Sequence, residues 1–291
     1  MSAATVPGSV QRWVLAARPR TLPAAIVPVA IGATVTGFHH INVLNVVLCA
    51  LVALSLQIAT NYANDYADGI RGTDAVRVGP FRLTASGLVP AAKVKQAAFA
   101  SFALAAIFGS ALAARSSWWF IVIGLTAIVA GWFYTGGPKP YGYMGLGEVF
   151  VMIYFGFVAT LGTTYAAVHH LPAATWWWGL CTGSMACALL EANNLRDIAG
   201  DQAAGKRTLA ARLGRKGASW LYGLCVAGVV AGALGGGVAL VAAGALVLYI
   251  PALQVAYSSK TGRDLLVLLQ HSARTQLVVG AGAVLAFAIT R

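Results

Sequence analysis

The sequence predicts an all-α polytopic membrane protein, and three observations carry that prediction. Of its 291 residues 59% are hydrophobic and only 10% are charged, where a soluble domain has about a quarter charged. The apolar residues run the whole length of the chain instead of gathering in a single anchor. They also divide into nine runs of spanning length, a crossing needing about 20 residues.

The predicted spans are 22–38, 43–63, 96–114, 118–135, 146–168, 176–192, 218–234, 238–257 and 273–290. The 218–257 stretch is divided at Gly235-Gly236-Gly237, because an unbroken helix of about 40 residues is too long for one crossing. Residues 1–291 are read as a single membrane-embedded domain. The N-terminal stretch carries Arg12, Arg18 and Arg20 but no evident cleavage site, so it is kept in the mature chain.

The formal charge of +12 would suggest nucleic acid in a soluble protein. In an apolar chain it reads instead as the positive-inside rule, with anionic lipid or substrate as partner. With the N-terminus in the cytoplasm and sides alternating, the cytoplasmic segments hold 18 of the 20 Lys and Arg residues, and only Arg115 and Arg291 fall outside. The C-terminus then lies outside. Trp118-Trp119 and Trp176-Trp177-Trp178 fall on the opposite face as an aromatic belt. Cys49, Cys181, Cys187 and Cys225 sit in apolar runs and read as packing residues. His39-His40 and His169-His170 read as interfacial polar residues.

Two connections break the pattern of short loops. Residues 64–95 and 193–217 are long, charged and cytoplasmic, and follow the second and sixth spans. Their equivalent positions suggest two related four-helix halves.

Each of these spans ends in a polar cluster. Asn61, Asn64, Asp65 and Asp68 lie at helical offsets of 0, 3, 4 and 7, on one face. Asn193, Asp197 and Asp201 recur every four residues. Amide and carboxylate oxygens without His or Cys suit a hard cation such as Mg²⁺. Cations follow both clusters: Arg71, Arg77 and Arg82 after the first, Lys206 and Arg207 after the second. Acids that hold Mg²⁺ beside bases that hold oxyanions make a diphosphate site. A solvated helix end would explain one such cluster. Two with the same spacing at equivalent helix ends point to a site. Between spans four and five, the Gly- and Pro-rich loop around Lys139 adds Tyr134, Tyr141 and Tyr143 at the same mouth. The lysine is a candidate for the diphosphate, and the rings are candidates to face a cation.

These residues resemble the UbiA superfamily of intramembrane prenyltransferases. Asn64-Asp65-x-x-Asp68 is similar to its first Asp-rich motif and Asp197-x-x-x-Asp201 to its second. The blocks Arg18-Pro-Arg20-Thr-Leu-Pro23, Asn61–Asp74, Arg77-Val-Gly-Pro80, Tyr134–Pro140 and Asn193–Asp197 resemble the menaquinone-forming branch. After Asp68 the next acid is Asp74, six residues on, where many superfamily members have one at four.

The resemblance implies about nine helices around a central cavity with two Asp-rich cytoplasmic loops, in a cell-membrane enzyme whose site faces the cytoplasm. It implies Mg²⁺, a polyprenyl diphosphate donor entering from the lipid bilayer, and an aromatic acid, 1,4-dihydroxy-2-naphthoate, as acceptor. By the same resemblance Asp68, Asp197, Asp201 and Lys139 are expected to be catalytic. Asn61, Asn64, Asp65, Asp68, Asn193, Asp197 and Asp201 are expected around the metal. Arg71, Lys139, Lys206, Arg20, Arg77 and Arg82 are expected on the diphosphate, and Tyr134, Tyr141 and Tyr143 beside the acceptor. A 4-hydroxybenzoate polyprenyltransferase is the alternative within the class. A secondary transporter is the alternative outside it, although transporter ion sites lie at mid-span and these acids lie at helix ends.

Overall fold

The computed structural model describes residues 7–73 and 81–291, and among them the regular structure is entirely helical. A short amphipathic helix α1 (Ser9–Ala16) is followed by α2 (Pro23–Thr34), α3 (Val43–Ile70), α4 (Ala91–Arg115) and α5 (Trp119–Phe133). One rod is then built from α6 (Gly147–Val151), a π-helical segment (Met152–Val158) and α7 (Ala159–Val168). The chain ends with α8 (Ala173–Ala203), α9 (Leu209–Gly235), α10 (Ala239–Ala256) and α11 (Leu266–Thr290).

Each of the nine predicted spans contains a helix. Six helical rods are long and apolar enough to cross a membrane alone, and a seventh qualifies when Ser9–Thr21 and Pro23–Thr34, bent by 52°, count as one span. The other two are α5, with 15 residues, and α8, whose apolar stretch is diluted by residues such as Thr182, Gly183 and Ser184. The predicted break at Gly235–Gly237 is present, with Gly236.. Val238 separating α9 from α10.

Two expectations need correction. The segments 64–95 and 193–217 are not loops from their first residue, because α3 continues to Ile70 and α8 to Ala203. At 1.5 Å per residue these helices are about 42 and 46 Å long, against a hydrocarbon thickness of about 30 Å. Their polar last turns can therefore stand beyond the apolar layer while keeping helical hydrogen bonds. In addition, Trp178 is no belt residue. It is fully buried, its Nε1 donates to Gly236 O at 3.3 Å, and its ring meets Phe287 edge-on at 5.1 Å. Trp118, Trp119, Trp176 and Trp177 are exposed, as a belt requires.

The main core packs α8 against α9, α10, α11 and α2 around Trp178, Tyr222, Tyr249 and Phe287. Small residues let backbones touch, since a Cβ on Gly232 of α9 would lie 2.6 Å from Cys181 N and 2.7 Å from Trp177 O of α8. Buried hydroxyls tie the helices further: Thr164 Oγ1 donates to Gly32 O at 2.7 Å, and Thr160 and Thr182 share a 2.8 Å bond. Such pairings satisfy groups that lipid cannot.

The two arginines predicted to lie apart from the others do so. Arg115 Nε donates to Asn45 Oδ1 at 3.0 Å near the start of α3, whereas Asp68 lies near its end. Arg291 donates to Gly236 O at 3.0 Å and to Val35 O, at the C-terminal ends of α9 and α2. Cations at exposed carbonyls favour the negative ends of the helix dipoles.

Candidate active site

A cavity of about 640 Å³ is lined by α2, α3, α4, α5, the π segment and α8. Its wall toward α4 and α5 is apolar, with Ala105, Gly109, Gly124, Ala127 and Ile128. Its other end carries the polar side chains. From α3 it receives Asn61, Asn64 and Asp68, and from α8 Asn193, Asn194, Asp197 and Asp201. Arg18, Arg20, Arg82 and Lys206 line the same end. The helical spacing of both clusters thus delivers them to one space.

Asp68 is the hub of the α3 arm. It is 3% exposed in a place where a lone carboxylate would be expensive. Lys206 Nζ lies 3.0 Å from its Oδ1 and Arg82 Nη2 lies 3.7 Å from its Oδ2. Tyr143 also donates its hydroxyl to Oδ1. Burial first, and then the Asp68 charge, pushes the Tyr143 phenol above its ordinary range, which keeps it a donor. Lys206 Nζ stands 4.7 Å from the Tyr143 ring centre.

On the α8 arm, Arg196 grips Asp197 with a fork, Nε to Oδ1 and Nη2 to Oδ2, both at 2.7 Å. Asp201 Oδ2 accepts from Thr208 Oγ1 at 3.3 Å. The turn between α8 and α9 is tied down by Lys206 N donating to Asp201 O and by Arg207 N donating to Tyr143 O. Asn193 gives one N–H to Leu189 O at 3.1 Å.

Several predicted residues have other roles. Both Asp65 oxygens accept backbone N–H groups, from Leu83 at 2.8 Å and Thr84 at 2.9 Å. Asp65 therefore holds the segment that carries Arg82 and does not line the cavity. Asn61 lines the cavity but binds Ala17 O at 2.8 Å and Thr21 Oγ1 at 3.1 Å, fastening the N-terminal segment. Arg71 donates to Thr135 O and Gly137 O, bracing the loop after α5. Lys139 is exposed on that loop and absent from the cavity lining, because the turn at Gly137–Pro140 carries it outward. Arg20 stands exposed at the rim. Tyr134, Tyr141 and Tyr143 all line the cavity. Arg77 and Asp74 lie outside the described residues.

Other residues of the site were not anticipated: Arg18, Thr135, Asn194, Arg196 and Glu148. Thr135 Oγ1 donates to Asn64 Oδ1 at 2.6 Å. Glu148, an acid inside an apolar span, carried a signal of its own, since such residues are functional candidates by default. It accepts from Asn194 Nδ2 at 2.9 Å.

Asn64, Asp68, Asn193, Asp197 and Asp201 offer only oxygen donors, a set that fits a hard divalent cation. Among the described residues no three His, Cys, Asp or Glu side chains gather into a metal cluster.

Comparisons with known proteins agree with this architecture. The model of the UbiA prenyltransferase family matches residues 25–272. The chain is similar to the 1,4-dihydroxy-2-naphthoate octaprenyltransferase of Mycobacterium tuberculosis, 49% identical over 229 residues, covering 76% of this chain and 77% of that one. The Escherichia coli protein of the same name is 36% identical over 212 residues, covering 70% of this chain and 69% of its own. The fold matches the structure of a UbiA homolog from Archaeoglobus fulgidus bound to DMAPP and Mg²⁺, with a TM-score of 0.70 at 14% identity, covering 96% of this chain and all of that one. With a family match spanning most of its length and relatives this close, the chain belongs to the UbiA prenyltransferase family.

Proposed function

We propose that the protein transfers a polyprenyl group from a polyprenyl diphosphate to 1,4-dihydroxy-2-naphthoate, the ring carboxylate leaving as CO2 and the donor losing diphosphate, which gives the hydroquinone form of demethylmenaquinone. The observation that carries this reading is one cavity with acids and bases at one end and an apolar wall beyond, in a chain 49% identical to a relative of that name.

Asn64, Asp68, Asn193, Asp197 and Asp201 are assigned to the cation. Mg²⁺, when bound, would neutralise charge on the departing diphosphate. Lys206, Arg82 and Arg18 line the same end and are assigned to the diphosphate oxygens, as fixed positive groups that need no reorganisation while the allylic C–O bond breaks. Lys206 and Arg82 already face Asp68, so the bases that would hold the diphosphate stand beside a carboxylate that would hold the cation. The cavity rings are assigned to a developing allylic cation, which their negative faces would stabilise. The prenyl tail is assigned to the apolar wall of α4 and α5, and the acceptor to the polar end. The polar end faces the cytoplasm in this reading, supported by the 18 of 20 basic residues assigned to that side.

The test is product mass spectrometry on purified protein with Mg²⁺ and a polyprenyl diphosphate, offering 1,4-dihydroxy-2-naphthoate and 4-hydroxybenzoate at equal concentration. The prenylated, decarboxylated hydroquinone, read as demethylmenaquinone once air has oxidised it, is the expected main product, abolished by EDTA and restored by Mg²⁺. Preferential prenylation of 4-hydroxybenzoate would move the protein to the other branch, and EDTA-resistant turnover would remove the metal assignment.

A further inference from the structure

One cavity wall is aromatic, and one of the amides lining the same cavity is held from behind by a glutamate. The Tyr141 ring stacks on Phe150 with centres 4.0 Å apart and planes 23° apart. Phe150 continues to Tyr154 at 6.3 Å, and Tyr134 meets Tyr141 at 5.5 Å. The Tyr141 hydroxyl donates to Ala130 O at 2.9 Å, so this residue presents ring and not polarity. Asn194 lines the same cavity.

The Asn194 amide is held from behind. Its Nδ2 donates to Glu148 Oε1 at 2.9 Å. Glu191, one turn earlier on α8 and fully buried, adjoins both Glu148 and Asn194. Neither glutamate lines the cavity. A carboxylate oxygen accepts, so the amide gives an N–H to Glu148 and turns its carbonyl oxygen the other way.

From this arrangement we infer that Asn194 is a specificity-determining residue that accepts a hydrogen bond from a ring hydroxyl of the aromatic acceptor, with Glu148 as the positioning residue that fixes the amide. The inference rests on the proposed function and names a contact that reading leaves open. An accepting carbonyl offers nothing to a carboxylate, which is left to the basic side chains of the same polar end, Lys206, Arg82 and Arg18. In 1,4-dihydroxy-2-naphthoate the 1-hydroxyl sits beside the carboxylate and bonds to it internally. The 4-hydroxyl points away and is the one Asn194 reads. The fused rings then lie along Tyr141 and Phe150.

The test measures competitive inhibition constants of 1-hydroxy-2-naphthoate, which lacks the 4-hydroxyl, against the KM of the full acceptor. The wild-type protein is compared with Asn194→Ala, Glu148→Leu and Glu148→Gln. The wild type is expected to favour the 4-hydroxylated ring by about tenfold, the worth of one hydrogen bond in a built site. Asn194→Ala and Glu148→Leu are expected to erase that preference and leave the KM for the donor within about twofold. Glu148→Gln keeps an accepting oxygen for the amide and is expected to keep the preference. Donor KM also reports folding, so an unfolded variant is recognised and Glu148→Gln then decides alone. A Glu148→Gln protein that loses the preference, or an Asn194→Ala protein that retains it, overturns the inference while the proposed function stands. A wild-type protein that does not prenylate the naphthoate at all overturns the proposed function instead.

Discussion

Lys206 Nζ donates to Asp68 Oδ1 at 3.0 Å across 138 positions of sequence, fastening the end of α3 to the turn that follows α8. Lys206 is only 9% exposed, whereas Lys139, the lysine of the Gly- and Pro-rich loop, is exposed. Replacing Lys206 by Met is expected to lower kcat/KM for the donor by about ten- to a hundredfold, the range for a hydrogen bond to a charged group. Lys139→Met is expected to change it by less than about twofold, as ordinary surface changes do. Steady-state prenyl transfer by both variants checks the ranking. Equal losses would return Lys139 to the site.

Asp65 separates holding from ligation. Its carboxylate is occupied by Leu83 N and Thr84 N, so Asp65→Ala is expected to raise the KM for the diphosphate, through Arg82, without raising the Mg²⁺ concentration for half-maximal rate. Asp68→Asn is expected to raise both. Paired titrations of Mg²⁺ and donor distinguish the two effects. A shifted Mg²⁺ requirement in Asp65→Ala would place that residue back among the ligands.

The fork between Arg196 and Asp197 predicts that Arg196→Lys is not conservative. Lysine brings charge but no planar pair of donors. Turnover is expected to fall about tenfold with the Mg²⁺ requirement raised, because Asp197 loses its fixed orientation. Unchanged turnover would mean that the fork is ornamental to the reaction.

Gly232 tests packing away from the chemistry. A methyl group there would meet Cys181 N and Trp177 O, which are backbone atoms that cannot swing aside. Gly232→Ala is expected to destabilise the α8–α9 pair by about 1–3 kcal/mol, read as a lower thermal midpoint in detergent.

The site was legible where local geometry governs it. Offsets of three, four and seven residues placed Asn61, Asn64 and Asp68 on one helix face, and the cavity receives all three. Asp65 shares that face on paper, yet the returning segment at Leu83 and Thr84 claims it. Such a contact spans 18 positions and has no local signature. Lys139 and Lys206 were indistinguishable by composition, since each follows a polar turn. What divides them is the direction in which each turn leaves its helix. The lengths of α3 and α8 were underestimated for a related reason: polarity marks where a helix leaves the apolar layer, not where its hydrogen bonds stop. Trp178 was assigned by its neighbours Trp176 and Trp177, although a helix turns each successive residue by about 100° and so points the third one inward.

The π segment Met152–Val158 sets the angular register between the two ends of its rod. Widened turns of this kind hold more residues than the α-helical turns around them. Tightening the segment to ordinary α-helical turns with every residue kept would turn everything after it by about 100°. Thr160 would leave Thr182, and Thr164 would leave Gly32, while Phe150 and Glu148, before the segment, would stay where they are. The two ends of one helix would then disagree about which side faces inward. The facing of half a span is therefore set by how many residues each turn holds across Met152–Val158, and a one-residue deletion there would offset such a tightening.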